Sequence, residues 1–379
     1  MRAFPRCRGV RRTGVAFAGC LVAATVATPG QELGAGQPSP GAAPSEANHF
    51  IETPAGWVHP VTPWGDPDLQ GTWPVSFVGS VPLQRCAPAF GGGPRPGSEP
   101  CDRSVAFVDE ETYRARLERA ARRTDRHAEA IADSDFGAAL QSGTVDPTAP
   151  QRQTSLIVDP PDGQLPPMTP EGERLSALMR SSWSLSPDEH QVWDSPLDFD
   201  TWDRCITRGM PSSMMPFRYN NGIEILQAPG YVVLNLEMIH EARIVPVDGR
   251  SPLDSAIRGW MGESRGHWEG TTLVVVTTNF RAGASATNIG VDGSPEGNRF
   301  PTSERMVVTE RFSRLNDDML LYEITTDDPV VLTRPWTARY PLRLDLGYQW
   351  WEYACHEGNR TIMDYITASR AEQEAAGSR

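Results

Sequence analysis

Two His–Glu pairs, His240-Glu241 and His356-Glu357, are the groups in this chain best suited to moving protons. Histidine titrates near neutrality, and an adjoining carboxylate can serve as a second acid or base. Each pair has polar company: Arg243 beside the first, Glu352 and Asn359 beside the second. The expected catalytic set is therefore His240, Glu241, Arg243, His356 and Glu357. Arg243 or Arg311 would grip a substrate carboxylate bidentately or stabilise developing negative charge. Glu237, Arg311 and Glu323 fall inside strand-like runs. With Trp268, Trp336 and Asn359 they form the expected substrate-binding set. The competing reading makes all of these structural hydrogen bonds and ion pairs at strand ends.

Other chemistries fit less well. Two His and one or two Glu can hold zinc or iron, but no H-E-x-x-H motif occurs and the ligands would have to converge only in space. Asp292–Asn298 imitates the first half of a calcium loop, yet Ser303 stands where the closing glutamate belongs. Gly262-Glu-Ser-Arg-Gly266 matches a nucleophile elbow, which needs a strand before it and a helix after. Here the order reads reversed, so a turn at a strand entry is the plainer expectation. All 35 basic residues are arginine. Without lysine there can be no Schiff base, pyridoxal attachment, P-loop lysine or Ser–Lys dyad. No organic cofactor is expected.

The elements that must position these residues lie in 222–345. Tyr231–Met238 alternates, with Val232, Leu234, Leu236 and Met238 on one face, the period of a half-buried strand. Pro229-Gly230 precedes it, and His240–Val247 returns to Asp248-Gly249. Further strands are read at Ser264–Trp268, Thr271–Thr278, Arg305–Ser313, Met319–Thr326, Val330–Thr333 and Trp336–Leu344. Tight turns leave no room for crossover helices. The fold class expected is mainly β, an antiparallel up-and-down meander forming a lipocalin-like barrel or a two-layer sandwich, with flanking helices. A barrel of about eight strands can hold one small ligand. Eleven tryptophans could line such a pocket or simply pack the core.

Upstream, a strand is read at Thr72–Val78 and another at Thr154–Asp159. Asp109 to Ile131 reads as a helix with acidic residues in its first turn. Its Arg-rich flank, from Arg114 to Arg126, is better read as a solvated face than as a nucleic-acid patch. Thr169-Pro170, Ser195-Pro196 and Ser251-Pro252 look like helix starts, and Arg360–Ala375 like a closing helix. The domain expectation is a single β-rich unit over 56–379, with a helical insertion at about 107–200.

Residues 1–28 read as an export signal: five arginines, then the apolar run Gly14–Ala27. Arg11-Arg12 points more weakly to the twin-arginine route. A flexible Pro/Gly/Ala/Ser tether follows over 29–55. The expected location is the periplasm or the cell exterior, with no membrane span. Removing the five arginines takes the net charge from −13 to −18. Such a surface repels nucleic acid and anionic lipid, leaving a small molecule as the expected partner. Oligomeric state stays open. Cys86, Cys101, Cys205 and Cys355 remain, an even number that suits two disulfides. Cys86–Cys101 would close a Pro/Gly-rich loop and Cys205–Cys355 would tie the chain end to the segment before the meander. Three pairings are open on sequence grounds.

Pro63–Trp73, Arg152–Gly163, Met238–Arg250, Gly262–Phe280 and Glu352–Asn359 together resemble segments of a family of exported bacterial proteins of unassigned function, frequent in soil and marine lineages. The resemblance spans residues 60 to 370, with the stretch around Cys86–Cys101 atypical. It implies export and a common fold, and no mechanism. The function expected from the residues themselves is an exported, cofactor-independent enzyme. It would do acid/base chemistry of lyase, isomerase, cyclase or hydrolase type on a small, partly apolar molecule. A non-catalytic carrier using the same pocket is the alternative, and a metal-dependent enzyme using the His/Glu cluster is the second.

Overall fold

The computed structural model describes residues 51–87, 101–132, 150–182, 192–217, 219–282 and 300–377. The expected leader, most of the tether and the calcium-like loop Asp292–Asn298 lie outside the described residues. Ten strands are found among them: β1 Gly71–Thr72, β2 Ile157–Asp159, β3 Ile223–Ala228, β4 Tyr231–Leu236, β5 Glu241–Pro246, β6 Glu263–Glu269, β7 Thr272–Thr278, β8 Val307–Arg314, β9 Met319–Asp327 and β10 Trp336–Arg343. Three α-helices accompany them: α1 Glu110–Ala132, α2 Pro170–Leu178 and α3 Thr361–Gly377.

The strands form two antiparallel sheets ordered β1-β3-β4-β5 and β2-β10-β9-β8-β7-β6. This is the two-layer arrangement; the described strands do not close into one barrel. Alternation decides the faces. Val232, Leu234 and Leu236 of β4 turn inward, as do Val308 and Phe312 of β8, Leu320, Tyr322 and Ile324 of β9, and Trp336, Ala338 and Tyr340 of β10. Together they fill the space between the sheets. At the junction of the two sheets, Gly266 of β6 lies under Val245 and Val247; a Cβ there would stand 2.9 and 2.8 Å from their methyl groups.

Several local expectations give way to side-chain capping and to proline. Thr72–Val78 is not one strand. Pro74 has no N–H to extend the ladder, and the chain turns into a 3-10 segment at Val75–Val78. The second upstream strand shortens to Ile157–Asp159. Val330–Thr333 is a turn rather than a strand, because the Asp328 carboxylate accepts the backbone N–H of Val330 and Val331. Ser251-Pro252 starts no helix; Asp254 accepts the Ala256 N–H at 2.8 Å and folds that stretch as a turn. Ser195-Pro196 has the expected capping box but opens only a 3-10 turn, Pro196–Asp198. Thr169 does cap α2, with Pro170 in its first turn.

Two disulfides are present, Cys86–Cys101 and Cys205–Cys355. Among the described residues no helix is long and apolar enough to cross a membrane.

Candidate functional site

The chain reverses between β4 and β5 in a way strands rarely do. Met238–His240 form a 3-10 turn, and inside it Ile239 has φ +61° and His240 φ +40°. A β-branched residue in the left-handed region is strained, since its Cβ crowds the backbone. This turn removes Met238 and Glu237 from the strand pattern. Glu237 is therefore buried instead of facing outward from β4.

Glu237 anchors what lies next to it. Its carboxylate accepts the Gly222 N–H at 3.0 Å, the Tyr348 hydroxyl at 2.5 Å and the Trp351 N–H at 2.7 Å. Gly222 can carry no side chain here. A Cβ would stand 2.8 Å from Tyr348 and 3.2 Å from the Glu237 carboxylate. The result is a fixed stretch, 348–351, that displays Trp350 and Trp351 to solvent.

The segment 200–209 closes the same end of the smaller sheet. Cys205, itself at φ +56°, is bonded to Cys355. Trp202 Nε1 donates to the Tyr353 hydroxyl at 2.8 Å. Trp202, Met238 and Ile239 pack as one cluster with Phe217 and Tyr353. Rings continue outward: Phe217 lies edge-on to Trp202 and to Tyr219, and Tyr219 stacks on Tyr353. Arg208 is buried over the Trp202 and Phe217 rings, 5.1 and 4.8 Å from their centroids. Burial lowers its pKa to about 10, against the opposing charges of Tyr353, Tyr219 and Tyr340.

Three titratable groups at this end are displaced from their ordinary values. Burial raises the Glu241 carboxyl, outweighing the Thr207 hydroxyl, which donates to it at 2.6 Å, and the charge of Arg243. Burial and then the neighbouring Asp203 charge push Asp200 up to about 7. Arg208 is the third. Such displacement is common at working sites, where a proton must move near neutral pH.

The residues singled out from sequence divide accordingly. His240, Glu241, Glu237, His356, Glu357 and Asn359 all belong to this end. His240, His356 and Glu357 are exposed; His240 follows Ile239 of the Trp202–Tyr353 cluster in the chain, and His356 lies three residues after Tyr353. Asn359 fastens the two segments to each other, its amide donating to the Asp203 carbonyl at 3.0 Å and to Cys205 Sγ at 3.4 Å. Arg243 does not join them. It points between the sheets, where Glu310 of β8 pairs with it. Arg311 and Glu323 lie on the outer face of the larger sheet, paired with Glu269 and Arg339. Trp336 is wholly buried, and Trp268 packs against the core from β6. Ser264, centre of the elbow-like motif, is the second residue of β6, with its hydroxyl 2.9 Å from that of Thr277. The strand–turn–helix that an elbow requires is absent there.

Sequence reasoning weighs Asp200, with Asp198 and Asp203, as favouring a helix start over binding calcium, and passes over Thr207 and Arg208. The available signal was Cys205, because a bond to Cys355 brings its neighbours beside His356. Among the described residues no three His, Cys, Asp or Glu side chains converge as metal ligands would. Searches for similar proteins add no precedent: no family model, no curated protein and no solved structure matches this chain.

Proposed function

We propose that the protein is an exported enzyme that binds a small, partly aromatic molecule at the strained end of its smaller sheet and transfers protons there. One observation carries the reading. The left-handed Ile239-His240 turn leads directly into Glu241, whose half-buried carboxyl is held above its ordinary pKa by burial. Strain of this kind is retained where a side chain must be aimed. Glu241 is given the role of proton carrier and His240 that of its exposed partner; the exposed His356 and Glu357, next to Cys355 in the chain, are the further candidates. The exposed rings of Trp350, Trp351 and Tyr219 supply the apolar contact. Two disulfides support an oxidising compartment such as the periplasm.

The same rings would serve a carrier equally well, and the test must separate the two. Protein exported to an oxidising periplasm would be weighed natively and after denaturation, so that a retained molecule identifies the ligand class. Turnover of that class is then compared in wild type, Glu241→Gln and His240→Ala. The enzyme reading expects both variants to lose turnover by about a hundredfold while ligand affinity holds. Unchanged chemistry in both, or binding with no turnover in wild type, overturns it.

A further inference from the structure

A second place in the fold has the form of a ligand site. A cavity of about 370 Å3 lies on the outer face of the larger sheet, between β2, β9, β10 and the segment Ala106-Phe107. Sites for small molecules begin at about 300 Å3. Much of the wall is polar, and its polar groups are held in place. Glu323 of β9 and Arg339 of β10 stand opposite each other in the ladder, and Arg339 gives Nε and Nη2 to the same carboxylate oxygen, Oε2. Gln153 is only 4% exposed, and its Nε2 donates to the carbonyls of Ser155 at 3.0 Å and Arg339 at 3.3 Å. Those two bonds fix the remaining amide atom, Oε1, as an acceptor. Three wall atoms are then left over. Glu323 Oε1, Gln153 Oε1 and Arg339 Nη1 bond to no described residue, and none of the three is sealed from solvent.

Charge decides what fits. The lining sets Arg85 and Arg339 against Asp159 and Glu323, so its formal charge cancels. Arg85 takes no part: its Nη1 donates to the carbonyls of Arg103 and Pro161, and its Nε is sealed. Asp159 is paired with Arg334. An anion would meet Arg339 but also two carboxylates and the Gln153 acceptor. A cation would meet Glu323 but also Arg339. A hydroxyl serves both signs, donating to Glu323 or Gln153 and accepting from Arg339. Several hydroxyls on one rigid body can satisfy all three open atoms together. Phe107, half-buried on the wall, offers a flat apolar face to the C–H side of such a body. We propose that this cavity is a binding site for a neutral, polyhydroxylated ring of monosaccharide size, held by Arg339, Glu323 and Gln153. Neither the residues nor the chemistry are shared with the strained sheet end, so this site stands or falls independently of the proposed activity.

Titration calorimetry on the disulfide-bonded protein tests this with D-glucose, D-galactose and D-mannose, and with the uronate and the protonated 2-amino form of each. At least one neutral hexose should bind saturably. Its two charged counterparts should be weaker by about tenfold or more, because like charges set side by side cost affinity. Glu323→Gln removes the carboxylate beside Arg339, so the uronate should gain about tenfold relative to the neutral sugar. Thr337→Phe fills the cavity from an outer-face strand position that accepts aromatics and should abolish hexose binding while the melting temperature holds. Saturable binding by none of the three hexoses, equal affinity for a charged counterpart, or hexose binding and selectivity that both variants leave unchanged would each overturn the assignment.

Discussion

Arg243 of β5 and Glu310 of β8 meet across the gap between the two sheets, Nη1 standing 2.9 Å from Oε1 while Nη2 contacts Oε2. The side chains are 3% and 0% exposed. Tyr322 adds its hydroxyl to Oε1 at 2.8 Å, and Ser264 and Thr277 accept from Nη2 at 3.3 and 3.2 Å. Burial opposes the charge on Arg243, but Glu310 more than restores it, so the guanidinium stays protonated. The same burial, helped by the Glu310 charge, lifts the Tyr322 hydroxyl well above its ordinary pKa and keeps it a donor. The pair also sets register. With Arg243 inside, Ile244 stands 63% exposed on the outer face. A slip of one residue would exchange them and bury Ile244 in place of the charge.

Removing one partner should therefore cost more than removing both. Glu310→Gln leaves a buried guanidinium without its counter-charge and is expected to destabilise by about 3–5 kcal/mol. Arg243→Met combined with Glu310→Leu should recover most of that loss, since an apolar pair of similar volume needs no desolvated charge. Urea unfolding of the two single variants and the double closes the cycle. A double variant as unstable as the worse single would mean that the network, not the pair, holds the sheets together.

The two disulfides should differ in weight. Cys205–Cys355 spans 150 residues and Cys86–Cys101 only 15. In the loop-entropy account the longer closure stabilises by about 5 kcal/mol and the shorter by about 3. Replacing Cys205 and Cys355 by serine should thus lower the urea midpoint further than replacing Cys86 and Cys101. It should also free Asn359 and His356 from the 200–209 segment, so intrinsic tryptophan fluorescence shifts in the first variant and not in the second.

Strand content was legible in the sequence because alternation and turn dipeptides are local signals. Val232, Leu234 and Leu236 announce an inward face, and Pro229-Gly230 its turn. Which strands share a sheet was not legible. β2 pairs with β10 across more than 150 residues of chain, and no local pattern encodes that contact. The site was half legible. His240, His356 and Glu237 could be named as residues, yet not the positive-φ turn at Ile239 and His240 that follows Glu237, nor the hydrogen bonds that hold the buried Glu237 carboxylate. Arg243 misleads for another reason: periodicity cannot reveal that an inward-facing charge has its partner on another sheet.

Asp200 makes stability depend on pH in a direction unusual for a carboxylate. Its pKa rises from an ordinary 3.8 to about 7, first through burial and then through Asp203. The folded state thus holds a proton that the unfolded chain releases. This contribution is complete below about pH 4 and is lost as pH climbs toward 7. Asn in its place keeps a carbonyl for the Asp203 N–H, which Asp200 Oδ1 accepts at 2.7 Å, and carries no charge. Between pH 4 and 7 the melting temperature of wild type should fall relative to Asp200→Asn by about 4 °C, equivalent to about 2 kcal/mol after allowance for relaxation. Parallel melting curves across that window would remove Asp200 as the cause.

His240 offers the sharpest separation of stability from function. Its side chain is exposed while its backbone sits at φ +40°, so a substitution changes conformation rather than packing. A left-handed backbone costs a residue with a side chain about 1–2 kcal/mol, and glycine escapes that cost. Glycine's greater freedom in the unfolded chain takes back about 0.5–1 kcal/mol. His240→Gly should consequently fold as well as wild type or better, by up to about 1 kcal/mol. His240→Val, with β-branching at positive φ, should lose about that much or more. If the turn is strained in order to aim the imidazole, the more stable glycine variant is the one that loses turnover. Thermal melts and rates on the same three proteins decide it: a glycine variant that is less stable than wild type would show that the turn carries no strain to relieve.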